Sequence, residues 1–352
     1  MAPSWTRNPL DDDPVLRQGV RMDLTALAKV LPDHEIRPVS MDDVPALVDL
    51  VARITTVVLG EPDVSESEMR DDLIGPHFEL STDTFIAVAP DGRATSYGQG
   101  YDEHSGSAWV DVYLDPAVDD DLYAEVAYAG AAACVARIAE SVKERGAASV
   151  HLAANLYETE TRMRTAYERA GLVLETVYWR MQRALDADEV LETPVIPDGF
   201  TIGKVDPRDD VVIEQAYHLF NDTFSEHHGN EGSEKSLPDY IEYVRTAEAF
   251  DPDAWWFARQ GEVPVGLLIG DNRRAEQGGG FIPTVGVQKH LRGRGIARAL
   301  LLSSFADYRQ RGRTGVQLGV DTGNVTGASR LYESVGMTSL HTAIALGRDL
   351  TV

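Results

Sequence analysis

An apolar strand, Thr284-Val285-Gly286-Val287, runs through Gln288-Lys289-His290-Leu291 into Arg292-Gly293-Arg294-Gly295 and straight out into the amphipathic stretch Ile296-Ala297-Arg298-Ala299-Leu300-Leu301. A turn of this kind aims consecutive backbone N–H groups at one point. The first turn of the helix adds partial positive charge there, so the chemistry it suits is binding of a pyrophosphate. Gly293 and Gly295 leave no Cβ in the path of the ligand's oxygens, and Arg292 and Arg294 are placed to add charge-assisted contacts. The turn lacks the Gly-Lys-Ser/Thr ending of a P-loop, and its glycine spacing is wrong for a dinucleotide fold.

The elements that must position this turn repeat along the chain. Residues 35–39 predict a strand, 44–59 a helix after a Ser40-Met41-Asp42-Asp43 start signal, and 84–89 and 95–101 a hairpin across Pro90-Asp91-Gly92-Arg93. A strand at 108–114, a long helix at 122–145, a strand at 149–154, a helix at 161–170 stopped by Gly171, and a strand at 173–181 follow. Residues 187–199, acidic with Pro194 and Pro197, are expected to be a linker. After it the same order recurs: strand 201–205, helices 211–224 and 237–246, strands 255–259, 263–269 and 281–287, helix 295–311, strand 315–320, helix 327–335 and a closing strand near 341–346. This is a duplication at domain scale. It divides the chain into an extension (1–33), a first domain (34–186), the linker, and a second domain (200–352) that holds the turn.

A length of 352 residues suits two domains. The formal charge of -25 excludes a general basic surface for nucleic acid and would attract a cationic acceptor, although it serves solubility equally well. No apolar run is expected to reach the length of a membrane span, and the opening residues lack the apolar core of a secretory signal, so the expected location is cytoplasmic. The single cysteine, Cys134, excludes an intrachain disulfide and a cysteine-based metal cluster, and its alanine-rich surroundings predict packing. No metal is expected.

Arg292-Gly293-Arg294-Gly295-Ile296-Ala297 resembles the Arg/Gln-x-x-Gly-x-Gly/Ala acetyl-CoA signature of the GNAT N-acyltransferase superfamily. The stretch Asn324-Val325-Thr326-Gly327-Ala328-Ser329-Arg330-Leu331-Tyr332-Glu333-Ser334-Val335-Gly336-Met337 is similar to that family's second segment, and both lie in the family's order across the second domain. The first domain keeps only an echo of the second segment, Ala166-Tyr167-Glu168-Arg169-Ala170-Gly171. Its equivalent of the turn, Leu114-Asp115-Pro116-Ala117-Val118-Asp119-Asp120-Asp121, has four aspartates and no glycine, which would repel a pyrophosphate. An intact copy behind a degenerate one, together with Phe224-Ser225-Glu226-His227-His228-Gly229, resembles the layout of tandem members such as the mycothiol synthases.

The resemblance implies an α/β fold of two tandem GNAT-like domains, each a mixed, mostly antiparallel sheet flanked by helices. It implies transfer of an acetyl group, or another acyl group, from its CoA thioester to the amine of a small-molecule acceptor by direct attack with both reactants bound. Val285, Gly286 and Val287 would hold the pantetheine arm, Ile296 and Ala297 would close the pyrophosphate turn, and Asn324 would bond the arm or simply cap its helix. Tyr332 takes the place of the family's general acid, a phenol of pKa near 10 matched to a thiolate leaving group, and a core role is the alternative. For the base, the strand 278–283 offers no carboxylate. Glu226, His227 and His228 are the nearest groups by family layout, with solvated or capping roles as the alternative and a water chain in reserve. Of Trp255 and Trp256, alternation sends one to the core and one to the opposite face. A monomer or homodimer is expected, with no nucleic-acid or membrane partner. Modification of a protein amine, or acyl-CoA sensing without turnover, are the competing readings.

Overall fold

The computed structural model describes residues 21–75, 77–224, 236–322 and 328–352. The first half supplies α1 (Thr25–Val30), β1 (Glu35–Arg37), α2 (Val44–Leu59), α3 (Glu66–Asp72), α4 (Leu80–Asp83), β2 (Thr84–Val88), β3 (Ala94–Asp102), β4 (Ser107–Leu114), α5 (Asp120–Glu144), β5 (Ser149–Tyr157), α6 (Thr161–Arg169) and β6 (Val173–Ala184). The second supplies β7 (Thr201–Lys204), α7 (Asp210–Phe224), α8 (Leu237–Thr246), β8 (Phe250–Gln260), β9 (Val263–Asp271), β10 (Gly279–Val287), α9 (Ile296–Gln310), β11 (Gly315–Asp321), α10 (Ala328–Ser334) and β12 (Thr338–Thr351). Among the described residues the strands join in one sheet of order β1-β2-β3-β4-β5-β12-β6-β11-β10-β9-β8-β7. Only β4 with β5 and β10 with β11 run parallel.

The two expected sheets are continuous because the halves exchange their last strands. β12 pairs with β5 from Ala343↔Tyr157 to Thr351↔Ser149, while β6 pairs with β11 from Gly315↔Ala184 to Asp321↔Tyr178. Each closing strand thus satisfies an edge that would otherwise present unpaired backbone groups. Helices cover both faces: α5 and α6 lie over one face of the first half and α2 over the other, while α9 and α7 divide the second half in the same way. Trp255 and Trp256 alternate as expected, Trp255 into the core under α7 and Trp256 against the core under α9.

Two expectations are corrected here. Residues from 21 to 33 were expected to be an extension, yet Met22, Leu27 and Leu31 lie in the first core, because this apolar series docks α1 on α5. No apolar run was expected to reach membrane-spanning length, but α5 does so by length and composition. It packs on β3 and β4 and against α6, and its alanines and Gly130 let it settle close to the sheet: a Cβ at Gly100 would stand 2.7 Å from the carbonyl oxygen of Cys134. Cys134 is fully buried there, and desolvation raises its thiol pKa, so it packs and does not react.

His151 on β5 clamps the exchange. Its Nδ1 lies 2.9 Å from Asp349 on β12 and its Nε2 3.0 Å from Glu175 on β6. Burial pulls the imidazole pKa down, but the two carboxylates outweigh it and hold the pKa above its ordinary 6.5. A raised folded-state pKa gives stability that is complete below the unfolded value and is lost as pH rises through the folded one. The urea midpoint of His151→Asn is therefore expected to fall furthest below wild type under pH 6 and to converge with it in alkaline buffer.

Candidate active site

Why the cleft forms is legible in β10. Its parallel pairing with β11 runs only from Gly279↔Gly315 to Ile282↔Leu318, and its register with β9 slips between Phe281 and Thr284. Pro283 sits at the break, where it has no N–H to donate. Beyond it β10 parts from β11, leaving the backbone of residues 283–287 free of that neighbour. A Cβ on Gly286 would stand 2.7 Å from Thr223 Oγ1, so this glycine is set by the close passage of α7.

The turn then behaves as the glycines require. Gly293 and Gly295 have φ of 77° and 87°, and Gly295, the N-cap of α9, offers no side chain to its N–H groups. Ala299 N donates to Gly295 O at 3.0 Å, while the helix's earlier donors stay open to a ligand. Arg292 turns inward: its Nε donates to Val287 O at 3.1 Å and its Nη2 to Thr223 O at 3.0 Å, bracing the turn against α7. Arg298 is held by Glu192 of the linker through two bonds of 2.7 Å.

Val285, Gly286, Val287, Arg292, Gly293, Gly295, Ile296, Ala297 and Tyr332 line one cavity of about 600 Å³. Arg294 is exposed and does not line it. Glu226, His227, His228 and Asn324 lie outside the described residues. Tyr332 is 7% exposed, and its hydroxyl has no protein partner among the described residues. Desolvation pushes its pKa up to about 12, which keeps it protonated at any working pH.

The first half shows the same architecture filled in. β4 pairs with β5 only at Ser107–Trp109, so it splays likewise. Tyr167, four residues before its closing glycine as Tyr332 is, reaches into that splay: Val112 N donates to its Oη at 2.8 Å, and the Oη donates to Val110 O at 3.1 Å. At the head of α5, Asp119 and Asp115 accept from Asp121 N and Ala117 N, and Arg162 donates to Pro116 O at 3.0 Å and lies 4.0 Å over the Tyr123 ring. The backbone that would cradle a pyrophosphate is thus occupied by the chain itself. Tyr167→Phe strands the buried Val112 N–H, and should lower unfolding stability by about 1–3 kcal/mol in a denaturant titration while leaving any ligand stoichiometry unchanged.

A second cavity, of about 500 Å³, lies between the halves. Pro283 and Thr284 line it, next to Val285 of the first cavity, so the two adjoin across β10 where it leaves β11. Its other walls are α7, α8, β8 and β9 on one side, and α3 and β4 on the other. Sequence reasoning missed the α3 wall, which carries Glu68, Asp71 and Asp72. The helix-start pattern Ser65-Glu66-Ser67-Glu68, with Ser65 Oγ accepting from Glu68 N, was the signal that could have found it.

Comparison with known proteins bears on this geometry. Residues 213–337 match the acetyltransferase (GNAT) family. A mycothiol acetyltransferase from Thermobispora bispora is 33% identical over 172 residues, which are 48% of this chain and 56% of that one, so the match spans little more than half the relative's length. A solved GCN5-related N-acetyltransferase from Sphaerobacter thermophilus superposes with a TM-score of 0.73 at 26% identity, over 91% of this chain and 96% of that one. A tandem GNAT protein from the clavulanic acid biosynthesis pathway shares the fold, with a TM-score of 0.65 at 14% identity over 90% of this chain and 98% of that one. The chain thus has a duplicated fold of the tandem GNAT plan, and residues 213–337, in the half that keeps the open turn, match the acetyltransferase (GNAT) family.

Proposed function

We propose that the protein is an N-acetyltransferase that passes an acetyl group from acetyl-CoA to the amine of a small molecule while both are bound. The observation that carries this reading is the meeting of two cavities across β10, one at the pyrophosphate turn and one between the halves. The donor supplies an activated acetyl thioester, and the remaining work falls to the chain. Gly293, Gly295 and the head of α9 receive the pyrophosphate, and the released stretch from Val285 to Val287 holds the arm by its backbone groups. Tyr332 gives a proton to the departing sulfur, and the inter-half cavity presents the amine from the opposite side and takes up its released proton through solvent. The first half, its own cleft filled by Tyr167 and Arg162, acts as a wall of the acceptor cavity and binds no acyl-CoA.

A cavity of about 500 Å³ favours a small acceptor over a protein segment, and the name shared by the curated relatives makes mycothiol chemistry the first acceptor class to screen. Calorimetric titration with acetyl-CoA should give one site per chain, and release of free CoA thiol over an amine panel should follow. Two sites would sink the inert role of the first half. Binding without thiol release from any amine would turn the reading toward a sensor.

A further inference from the structure

Six carboxylates line the acceptor cavity, and among the described residues Glu68 and Asp72 alone of these accept no hydrogen bond, with Oε2 of Glu68 buried. Asp71 accepts from Ala249 N at 2.9 Å and also from Glu248 N, which docks α3 onto the second half. Asp251 pairs with Arg311, and Asp271 holds Arg273 at 2.8 Å. Glu103 accepts from Ser105 at 3.3 Å, and Glu68 stands 3.9 Å from Arg274, which itself pairs with Asp63. Asp72 has no hydrogen bond or ion pair among the described residues.

Its position gathers negative charge. Glu68 and Asp72 are one turn apart on α3, so two like charges share one face of the helix, and Asp72 stands at the helix's C-terminal end, where the dipole adds further negative potential. Asp72 is exposed to the cavity, and the protein packed around it, followed by Glu68 and Asp111, pushes its pKa up to about 7 while Arg273 pulls the other way. A cation brought into the cavity relieves all three effects at once. The facing walls suit one, because Trp109, Tyr217, Tyr240 and Phe250 offer aromatic surface to an ammonium and its carbon chain.

Building on the acetyltransferase reading, we propose that Asp72 receives an ammonium group of the acceptor other than the amine that is acetylated, so that the first half selects acceptors with a second cationic group for chemistry performed by the second. This gives the half without a cofactor cleft a direct part in the reaction: it reads the substrate. Asp72 is held in place by the docking of its helix through Asp71 and through the Arg274–Asp63 pair.

The test uses the full chain saturated with CoA, and intrinsic fluorescence of Trp109 and Trp255, which line the cavity, as the signal. The probes are 1,4-diaminobutane and its uncharged counterpart 1,4-butanediol. Wild type should bind the diamine at least about tenfold more tightly than the diol, and Asp72→Asn should lose at least about tenfold for the diamine only. Diamine affinity in wild type should decline as pH falls through about 7, where Asp72 takes up a proton, and the variant should be flat. The groups that set this titration are Glu68 and Asp71 on α3, Tyr97 on β3, Asp111 and Tyr113 on β4, Tyr243 on α8, and Arg273. A merely structural role would move the melting temperature and not this pH profile.

Equal diamine binding by wild type and Asp72→Asn, or no preference of wild type for the diamine over the diol, overturns the assignment. Loss in Glu68→Gln but not in Asp72→Asn overturns it as well, by moving the cation site to Glu68. Acetyl-CoA binding, followed separately by calorimetry, should be the same in all three proteins. Its absence from wild type would defeat the acetyltransferase reading and leave the amine titration to be judged by itself.

Discussion

Gly295→Glu should weaken acetyl-CoA binding by about a thousandfold, to below detection in a calorimetric titration at micromolar protein. Gly295 has a φ of 87°, and a Cβ there would meet nothing closer than Pro197 Cγ at 3.9 Å, so the cost is backbone strain and not collision. Left-handed backbone costs a non-glycine residue about 1–2 kcal/mol. The added carboxylate then stands at the N-terminus of α9, where the pyrophosphate must lie, and turns an attractive site into a repulsive one for about 2 kcal/mol more. Together these reach the roughly 4 kcal/mol that a thousandfold loss requires. Gly295→Ala separates the terms: it keeps the strain without the charge, and should lose about tenfold. Undiminished binding in Gly295→Glu would mean that the pyrophosphate lies elsewhere.

Tyr332→Phe should lower kcat by roughly 10²- to 10⁴-fold and leave acetyl-CoA affinity within a factor of about two, because the substitution removes a proton donor and little volume. The phenol has no protein partner among the described residues, so no internal hydrogen bond is lost, and the melting temperature should hold. Burial keeps the phenol protonated, and the same dry surroundings raise the proton affinity of a thiolate leaving beside it, which keeps donor and recipient matched. The contrast with Tyr167 sharpens the expectation. That phenol is spent on two backbone groups of β4, so its removal should cost stability and not rate. A Tyr332→Phe enzyme of undiminished kcat would return Tyr332 to the role of a core residue.

What the sequence disclosed follows from how local each signal is. The helix at 44–59 is found at its expected bounds because Pro45 at its start and Gly60 in the left-handed region at its end are statements of one residue each. The turn from Arg292 to Gly295 was legible for the same reason, whereas Val285, Gly286, Val287, Ile296 and Ala297 were assigned to the site only through the family resemblance. The α3 helix was not, because Glu66–Asp72 has a single buried residue, Met69, and thus no apolar period to read. The exchange of β6 and β12 was hidden more deeply. Each reads as a closing strand, and nothing in its alternation says which half's edge it closes. The expectation of a base at Glu226, His227 or His228 falls outside the described residues, and α3 of the first half builds a wall of the inter-half cavity that the sequence did not announce.

The exchange also orders the events of synthesis. β5 ends at Tyr157 and its partner β12 begins at Thr338, so about 180 further residues must leave the ribosome before the first sheet can gain that edge. At about 5–20 residues per second that is a wait of roughly ten to forty seconds, during which β5 offers an open edge to any passing strand. The first half cannot mature as a unit ahead of the second, as tandem domains ordinarily do. Its fold is completed by the strand that ends the second half, so the two walls of the inter-half cavity come into being together or not at all.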